Sequence, residues 1–384
     1  MKLKKLSVVL TAGLAGLTWN VGAQAQVKIG TIASSTGVVS AIGIPQRNTA
    51  MMLPTKIGDL TVEYIHLDDA SEPNNTVTSA RKLITEEKVD AIIGPSGSPH
   101  AMALIDLISE AETPLIAPVG SIAVVWPMDD RRKWVFKTTQ NDGLVADKLL
   151  QHMQDNGVKT LGFIGTSDAY GETWFSVLSE RVEPWGIKLV ANERFNRPDT
   201  SATGQVLKIM GAKPDAVLIA APGGPAVMPQ TGLKERGYDG TIYQTHGAAL
   251  NDFIRLGGAA VEDTILGGSL MLVPDQISDE NPSKAVAVQY MNDYQQRYGA
   301  MPATFGGNVY DAGVLLEAAV PVAIQTAQPG TPEFRRALRE ALENIKDLPG
   351  TQGIYNMTAE DHSGFDERGV ELLTIKEGAW QRVQ

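Results

Sequence analysis

The sequence predicts an α/β protein built as two doubly wound, Rossmann-like lobes. Three observations predict it. The chain has 384 residues, more than one ordinary core accommodates. Short apolar runs alternate with amphipathic helical patterns, the mark of β-α repetition and largely parallel sheets with right-handed crossovers. The alternation starts twice, near residue 26 and again near residue 141.

In the first series, residues 27–32 read as a strand and 40–53 as a helix. Residues 60–66 alternate as a strand does. In helix 74–87, Val77, Ala80, Leu83 and Ile84 share one face, while Arg81, Lys82 and Glu86 point away. Residues 90–93 form a short apolar strand, as expected where both faces are covered. A loop of glycine, proline and serine then runs into a helix, followed by strand 114–117.

The second series opens with helix 143–156, stopped by Gly157. Strand 160–164, helix 172–182, strand 188–193, helix 203–211 and strand 216–220 follow. Helix 225–236 ends at Gly237, and strand 240–244 comes next. Three helices, near 281–298, 307–324 and 331–344, precede a β-hairpin of 369–375 and 380–382 around Glu377-Gly378.

The first 25 residues stand apart. Lys2, Lys4 and Lys5 form a basic start, residues 6–17 an apolar run too short to span a bilayer, and Ala23-Gln24-Ala25 a cleavage site. This predicts a signal peptide cut after Ala25 and a periplasmic protein. The formal charge of −11 includes those three lysines, so the mature chain carries −14. Such an acidic surface argues against nucleic acid and anionic membranes as partners. The absence of cysteine excludes disulfides, thiolate metal sites and thiol catalysis.

In open parallel sheets, ligands bind beyond the carboxyl ends of the strands. The loops there are 33–40, 94–98, 118–121, 165–170, 221–224 and 245–247. They are small and hydroxylic, and only Asp168 and His246 break their neutrality. That suits a small molecule held by few polar contacts. No phosphate-binding loop is present, and Gly94-Pro95-Ser96-Gly97-Ser98 lacks the last glycine of a nucleophile elbow. The five histidines, His66, His100, His152, His246 and His362, have no metal spacing, so neither metal nor cofactor is expected. The pairs Asp68-Asp69 and Asp129-Asp130 read as solvated loop acids.

Ser98 carries the sharpest local signal. With a helix starting at Pro99, Ser98 is its N-cap and Pro99 its first residue. The hydroxyl then either caps, worth about 1 kcal/mol, or opens an anion site at the helix mouth. Tyr170 reads as a loop aromatic, half-buried with a wet hydroxyl or functional. His246 is the one neutral-pH switch in a cleft loop, at the surface or in a site. Trp126, Trp174 and Trp185 read as packing residues.

The stretches KIGTIASSTG, HLDDASEPNNTVTSARKLI, VDAIIGPSGSPHAMA, TPLIAPVGS, KTLGFIGTSDAYGE, PDAVLIAAPGG, LKERGY and FGGNVYDA occur in that order across the mature chain. The set resembles the periplasmic solute-binding proteins of hydrophobic amino-acid ABC transporters, the leucine/isoleucine/valine-binding family. The resemblance implies a type I periplasmic binding fold, with lobes joined by a three-strand hinge near 139–141, 268–274 and 355–358. Lobe 1 is then 26–140 plus 273–355, and lobe 2 is 141–272 plus 356–384. It implies a monomer that closes on its ligand by hinge motion, docks on an inner-membrane permease and catalyses nothing.

Residue by residue, the resemblance puts a carboxylate on Ser98 and on the loop of Val119 and Ser121. It puts the second-lobe tyrosine on Tyr170 and an aromatic on Phe305. The departures are as telling. The acid that would hold a ligand's ammonium falls on His246. Two aromatics fall on Ile42 and Pro222, and a cysteine pair falls on Ser71 and Gly97. A buried ammonium without its counter-charge costs several kcal/mol, with Asp168 as the one substitute on offer. The expected ligand is therefore a small carboxylate without an α-amino group, an aromatic acid among the candidates. A hydrophobic amino acid is the leading alternative; an exported α/β hydrolase and a sensor domain are the others.

Overall fold

The computed structural model describes residues 26–383; the signal-peptide reading of residues 1–25 lies outside them. The first series forms a six-stranded sheet. Its strands are β1 (Gln26–Ala33), β2 (Lys56–Ile57), β3 (Leu60–Asp68), β4 (Ala91–Ile93), β5 (Leu115–Ala117) and β6 (Val135–Lys137), in spatial order β2-β3-β1-β4-β5-β6. Only the β2–β3 pairing is antiparallel. Strands β4, β5 and β6 are wholly buried, which is why β4 and β5 read as short apolar runs without alternation. Helices α1 (Ser40–Ala50), α2 (Pro73–Lys82), α3 (Ser98–Met102) and α4 (Ile105–Glu110) flank this sheet.

The helix expected after Pro99 is thus two short helices, and it begins one residue early. Gly97 takes the N-cap place with extended backbone, and no side chain caps it. The Ser98 hydroxyl instead accepts the N–H of Ser121 at 3.2 Å. The capping reading of Ser98 falls, and so does much of the dipole argument, because α3 is little more than one turn.

The second series alternates α5 (Asp142–Asp155), β7 (Thr160–Thr166), α6 (Ala169–Arg181), β8 (Lys188–Phe195), α7 (Thr203–Gly211), β9 (Ala216–Ala220), α8 (Val227–Glu235), β10 (Thr241–Gln244), α9 (Asn251–Gly257) and β11 (Ile265–Gly268). Three helices return the chain to the first lobe: α10 (Pro282–Tyr298), α11 (Thr304–Ala323) and α12 (Pro332–Glu343). Helix α11 packs on α1 and α12, and its apolar face joins Val27, Ile29 and Phe136 in one core. A short hairpin, β12 (Leu348–Pro349) and β13 (Ile354–Tyr355), follows. Finally β14 (Glu371–Lys376) and β15 (Ala379–Arg382) add antiparallel to β11, giving the order β15-β14-β11-β10-β9-β7-β8.

The last crossing lies later than the resemblance implied. Met357 and Phe365 belong to the first-lobe core, and His362 stacks on Phe136 with ring centroids 4.1 Å apart. Residues after Tyr355 therefore stay with the first lobe until about residue 366, rather than leaving it at 356. One tryptophan is also corrected: Trp126 is 57% exposed, whereas Trp174 is fully buried as a packing residue.

Strand order reverses between β1 and β4 in one sheet and between β7 and β9 in the other. Those switch points are where a crevice opens at the carboxyl ends of a parallel sheet.

Candidate functional site

A small enclosed cavity lies where the two sets of strand-end loops meet. The first lobe contributes Ser96, Gly97 and Ser98 after β4, Pro118, Val119 and Gly120 after β5, and Thr139 and Gln140 after β6. Ile42 of α1 and the first turns of α11, with Thr304, Phe305 and Asn308, complete that wall. The second lobe supplies Tyr170, Arg197, Pro222, His246, Gly247 and Ser269. Seven of the eight positions read from the sequence thus meet at one cavity: Ile42, Ser98, Val119, Tyr170, Pro222, His246 and Phe305. Ser121 does not line it. Its hydroxyl is paired with Thr173 of α6 at 2.7 Å and accepts the N–H of Ala123 at 3.2 Å, so it ties the lobes together instead.

Tyr170 is neither in a loop nor wet. It is the second residue of α6, buried, with its hydroxyl 2.8 Å from the Thr245 hydroxyl and accepting the N–H of Gly247 at 3.0 Å. Burial first, then the charge of Asp142, pushes its pKa well above the ordinary phenol value, so the hydroxyl stays protonated. The ring is thereby pinned edge-on to His246, centroids 5.9 Å apart.

His246 is buried, not on the surface. Burial, and secondarily the Lys137 cation, pull its pKa down to about 3. At neutral pH it is an uncharged imidazole with one donor and one acceptor. Among the described residues, neither ring nitrogen has a hydrogen-bond partner. Asp142 Oδ1 lies 3.8 Å from Nε2, beyond hydrogen-bond range and opposite a neutral ring, so the two do not form an ion pair.

Behind His246 sit two buried charges that sequence reasoning misses. Lys137, at the end of β6, donates to the carbonyls of Thr139 at 2.8 Å and Gln140 at 2.6 Å. Burial lowers its pKa to about 8, opposed by the charges of Asp142 and Asp361. Asp142, at the start of α5, accepts the N–H of Ile122 at 2.9 Å. Burial raises its pKa to about 7, opposed chiefly by Lys137.

Arg197 is missed as well. The apolar pattern ends this strand at residue 193, but β8 runs on to Phe195, which makes the following N-R-P-D a strand-end loop. Asp168, the acid expected to replace a missing counter-charge, is taken by Arg197. The Arg197 Nε donates to its carboxylate, which also accepts from Tyr170 N–H at 2.9 Å and the Thr166 hydroxyl at 3.0 Å. Burial opposes ionisation of Asp168, but Arg197 and these donors hold it below the usual carboxylate range.

The free volume, about 30 Å³, is well under the ~150 Å³ of an engineered cavity that takes benzene. The lobes stand closed, and they must part to admit a ligand. Gly120 marks how tightly they meet. A Cβ there would lie 2.6 Å from His246 Nε2 and 2.6 Å from Tyr170 Cε2, both across the cleft. Gly120→Ala is therefore expected to oppose closure and to weaken binding of any ligand by roughly 1–3 kcal/mol. Isothermal titration checks this; an unchanged affinity would show that closure does not bring these groups together.

Two α/β lobes that close strand-end loops over a small buried cavity define a bilobal solute receptor. The chain belongs to the periplasmic binding protein family, whose model matches residues 26–378. It is 25% identical over 369 residues to the Leu/Ile/Val-binding protein BraC3 of Rhizobium johnstonii, covering 92% of each chain. Among solved structures, an extracellular ligand-binding receptor from Rhodopseudomonas palustris HaA2 is similar at TM-score 0.91 and 44% identity, covering 94% of this chain and 100% of that one. The leucine-binding protein LivK from Thermotoga maritima is similar at TM-score 0.80 and 25% identity, covering 93% and 98%. The chain is thus a solute-binding protein of the branched-chain amino-acid ABC transporter type, a class of receptors, not enzymes, that hand small ligands to a membrane permease. Among the described residues, no helix is long and apolar enough to cross a membrane.

Proposed function

We propose that this receptor binds a small carboxylate lacking an α-ammonium group, an aromatic acid being one such ligand, in the interlobe cavity. One observation carries this reading: among the described residues the cavity wall holds no aspartate or glutamate, and His246, where the resemblance puts the family's acid, is buried and neutral. An ammonium group there would be desolvated without an opposing charge, a penalty of several kcal/mol. In this reading Ser98 and Val119 attend the carboxylate. Ile42, Pro222 and Phe305 supply apolar wall, Tyr170 shapes the site, and His246 meets a neutral polar group. The protein works in the periplasm, delivered there by its N-terminal signal.

A thermal-shift comparison tests this. Ligand binding to the native state raises the midpoint by mass action. We expect 3-phenylpropanoate and 4-methylpentanoate to raise it and phenylalanine and leucine to leave it unchanged. The likeness to a Leu/Ile/Val-binding protein favours a second reading, a hydrophobic amino acid. Shifts by leucine or phenylalanine but not by their des-amino analogues would establish that one instead.

A further inference from the structure

We infer that Arg197 is the anchor of the ligand's carboxylate, and that this carboxylate draws the second lobe onto Ser98 of the first. The inference rests on the carboxylate reading above and names the group that answers the charge.

The Arg197 side chain is only 9% exposed. Its Nε is committed to Asp168, while both terminal nitrogens are buried and have no partner among the described residues. A guanidinium has five N–H donors, so four of them lack an acceptor in a place water does not reach. Buried charged donors left unmet are costly. An acceptor with two coplanar oxygens suits that pair of nitrogens, which is the geometry of a carboxylate taken bidentately. Asp168 holds the fork in place. Its own oxygens are filled by Arg197, the Tyr170 N–H and the Thr166 hydroxyl, and it caps α6, so it is fixed by backbone as well as by charge.

Among the described residues lining the cavity or standing behind it, no other group offers this. Lys137 spends its ammonium on two backbone carbonyls. Helix α3 is too short to supply a dipole of consequence. Ser98 has accepted the Ser121 N–H, which leaves its own O–H to donate into the same cavity that Arg197 lines. Arg197 and Ser98 face the same small cavity from opposite lobes. A carboxylate that takes Arg197 and Ser98 at once bridges the lobes. An amide of the same shape, uncharged and with one oxygen, does not bridge them equally.

The test titrates 3-phenylpropanoate and 3-phenylpropanamide into the wild type, Arg197→Gln and Arg197→Lys, with melting curves to confirm folding and small-angle scattering to follow closure. The wild type is expected to favour the acid and to contract when the acid saturates it. Arg197→Gln is expected to lose roughly 10- to 150-fold in affinity for the acid, to bind the amide as before, and not to contract. Arg197→Lys keeps the charge without the fork and is expected to lose part of the preference. A purely structural Arg197 would lower acid and amide binding together. The inference is overturned alone if the wild type prefers the acid and Arg197→Gln keeps that preference or still contracts. It is likewise overturned, should Arg197→Gln not fold, by an Arg197→Lys indistinguishable from the wild type. If the wild type binds phenylalanine and neither probe, the reading of a ligand without an α-ammonium fails on its own, and the inference is overturned with it if Arg197→Gln binds phenylalanine as tightly as the wild type does.

Discussion

Replacing Asp142 by alanine is expected to remove about 3–5 kcal/mol of stability, because it strands a buried lysine. Lys137 is fully buried and, after burial itself, the charge of Asp142 is the largest influence on its ionisation. Its two carbonyl acceptors satisfy N–H geometry, but they do not supply an opposing charge. Asp142 also takes the Ile122 N–H, so alanine loses that bond too. A second variant separates the two effects: Asp142→Asn keeps an acceptor for Ile122 and removes only the charge. The larger share of the loss should persist in Asp142→Asn. Pairing Asp142→Leu with Lys137→Met should recover most of it, since apolar replacement of a buried charge pair is often neutral or better. Urea denaturation at pH 7.5 compares these three variants with the wild type. A loss under about 1 kcal/mol in Asp142→Asn would mean that Lys137 discharges freely, and the buried-charge account would fail.

Neither charge was legible in the chain. Lys137 and Asp142 flank the first crossing, where composition shows only a short run of mixed polarity, and burial there is set by the packing of both lobes. The parts that were legible had local causes. Buried parallel strands such as β4 and β9 carry continuous apolar runs, and helices such as α7 present one apolar face; both patterns survive into the fold with their boundaries nearly intact. Strands β6 and β11 were missed because V-F-K ends in a lysine and I-L-G-G in two glycines, which break the apolar run by which the equally short β4 and β5 show themselves.

The site divides the same way. The rule that ligands meet strand ends found the loops, and the family resemblance chose Ser98, Tyr170 and His246 among them; the cavity gathers all three. What escaped depended on strand length or on partners far away in the chain. Two extra residues of β8 turned Arg197 from a helix-preceding loop residue into a cavity residue. Ser121 looked equivalent to its neighbours, yet α6 brings Thr173 to its hydroxyl and takes it out of the wall. Ser98 looked like a cap from its immediate neighbours, but the Ser121 N–H arrives from the loop after β5 and claims the oxygen.

The Tyr170-Gly171-Glu172 motif was read for its tyrosine, and the second large effect is expected at its glycine. A Cβ on Gly171 would stand 1.9 Å from the carbonyl oxygen of Thr166 and 2.7 Å from its nitrogen. Both are backbone atoms at the end of β7, so no rotamer change relieves the clash. The start of α6 would have to move by about an ångström or more to restore ordinary contact. Tyr170 precedes Gly171 in that same turn, and its hydroxyl holds Thr245 and the Gly247 N–H beside His246. Gly171→Ala is therefore expected to lower stability by about 3 kcal/mol, the upper part of the overpacking range, and to weaken ligand binding at least tenfold by displacing the ring. Tyr170→Phe is the comparison: it leaves α6 in place and removes only the hydroxyl, for about 1 kcal/mol of stability. If Gly171→Ala melts and binds like Tyr170→Phe, the close approach of α6 to β7 is not what places the tyrosine, and the motif's glycine has no role beyond permitting the turn.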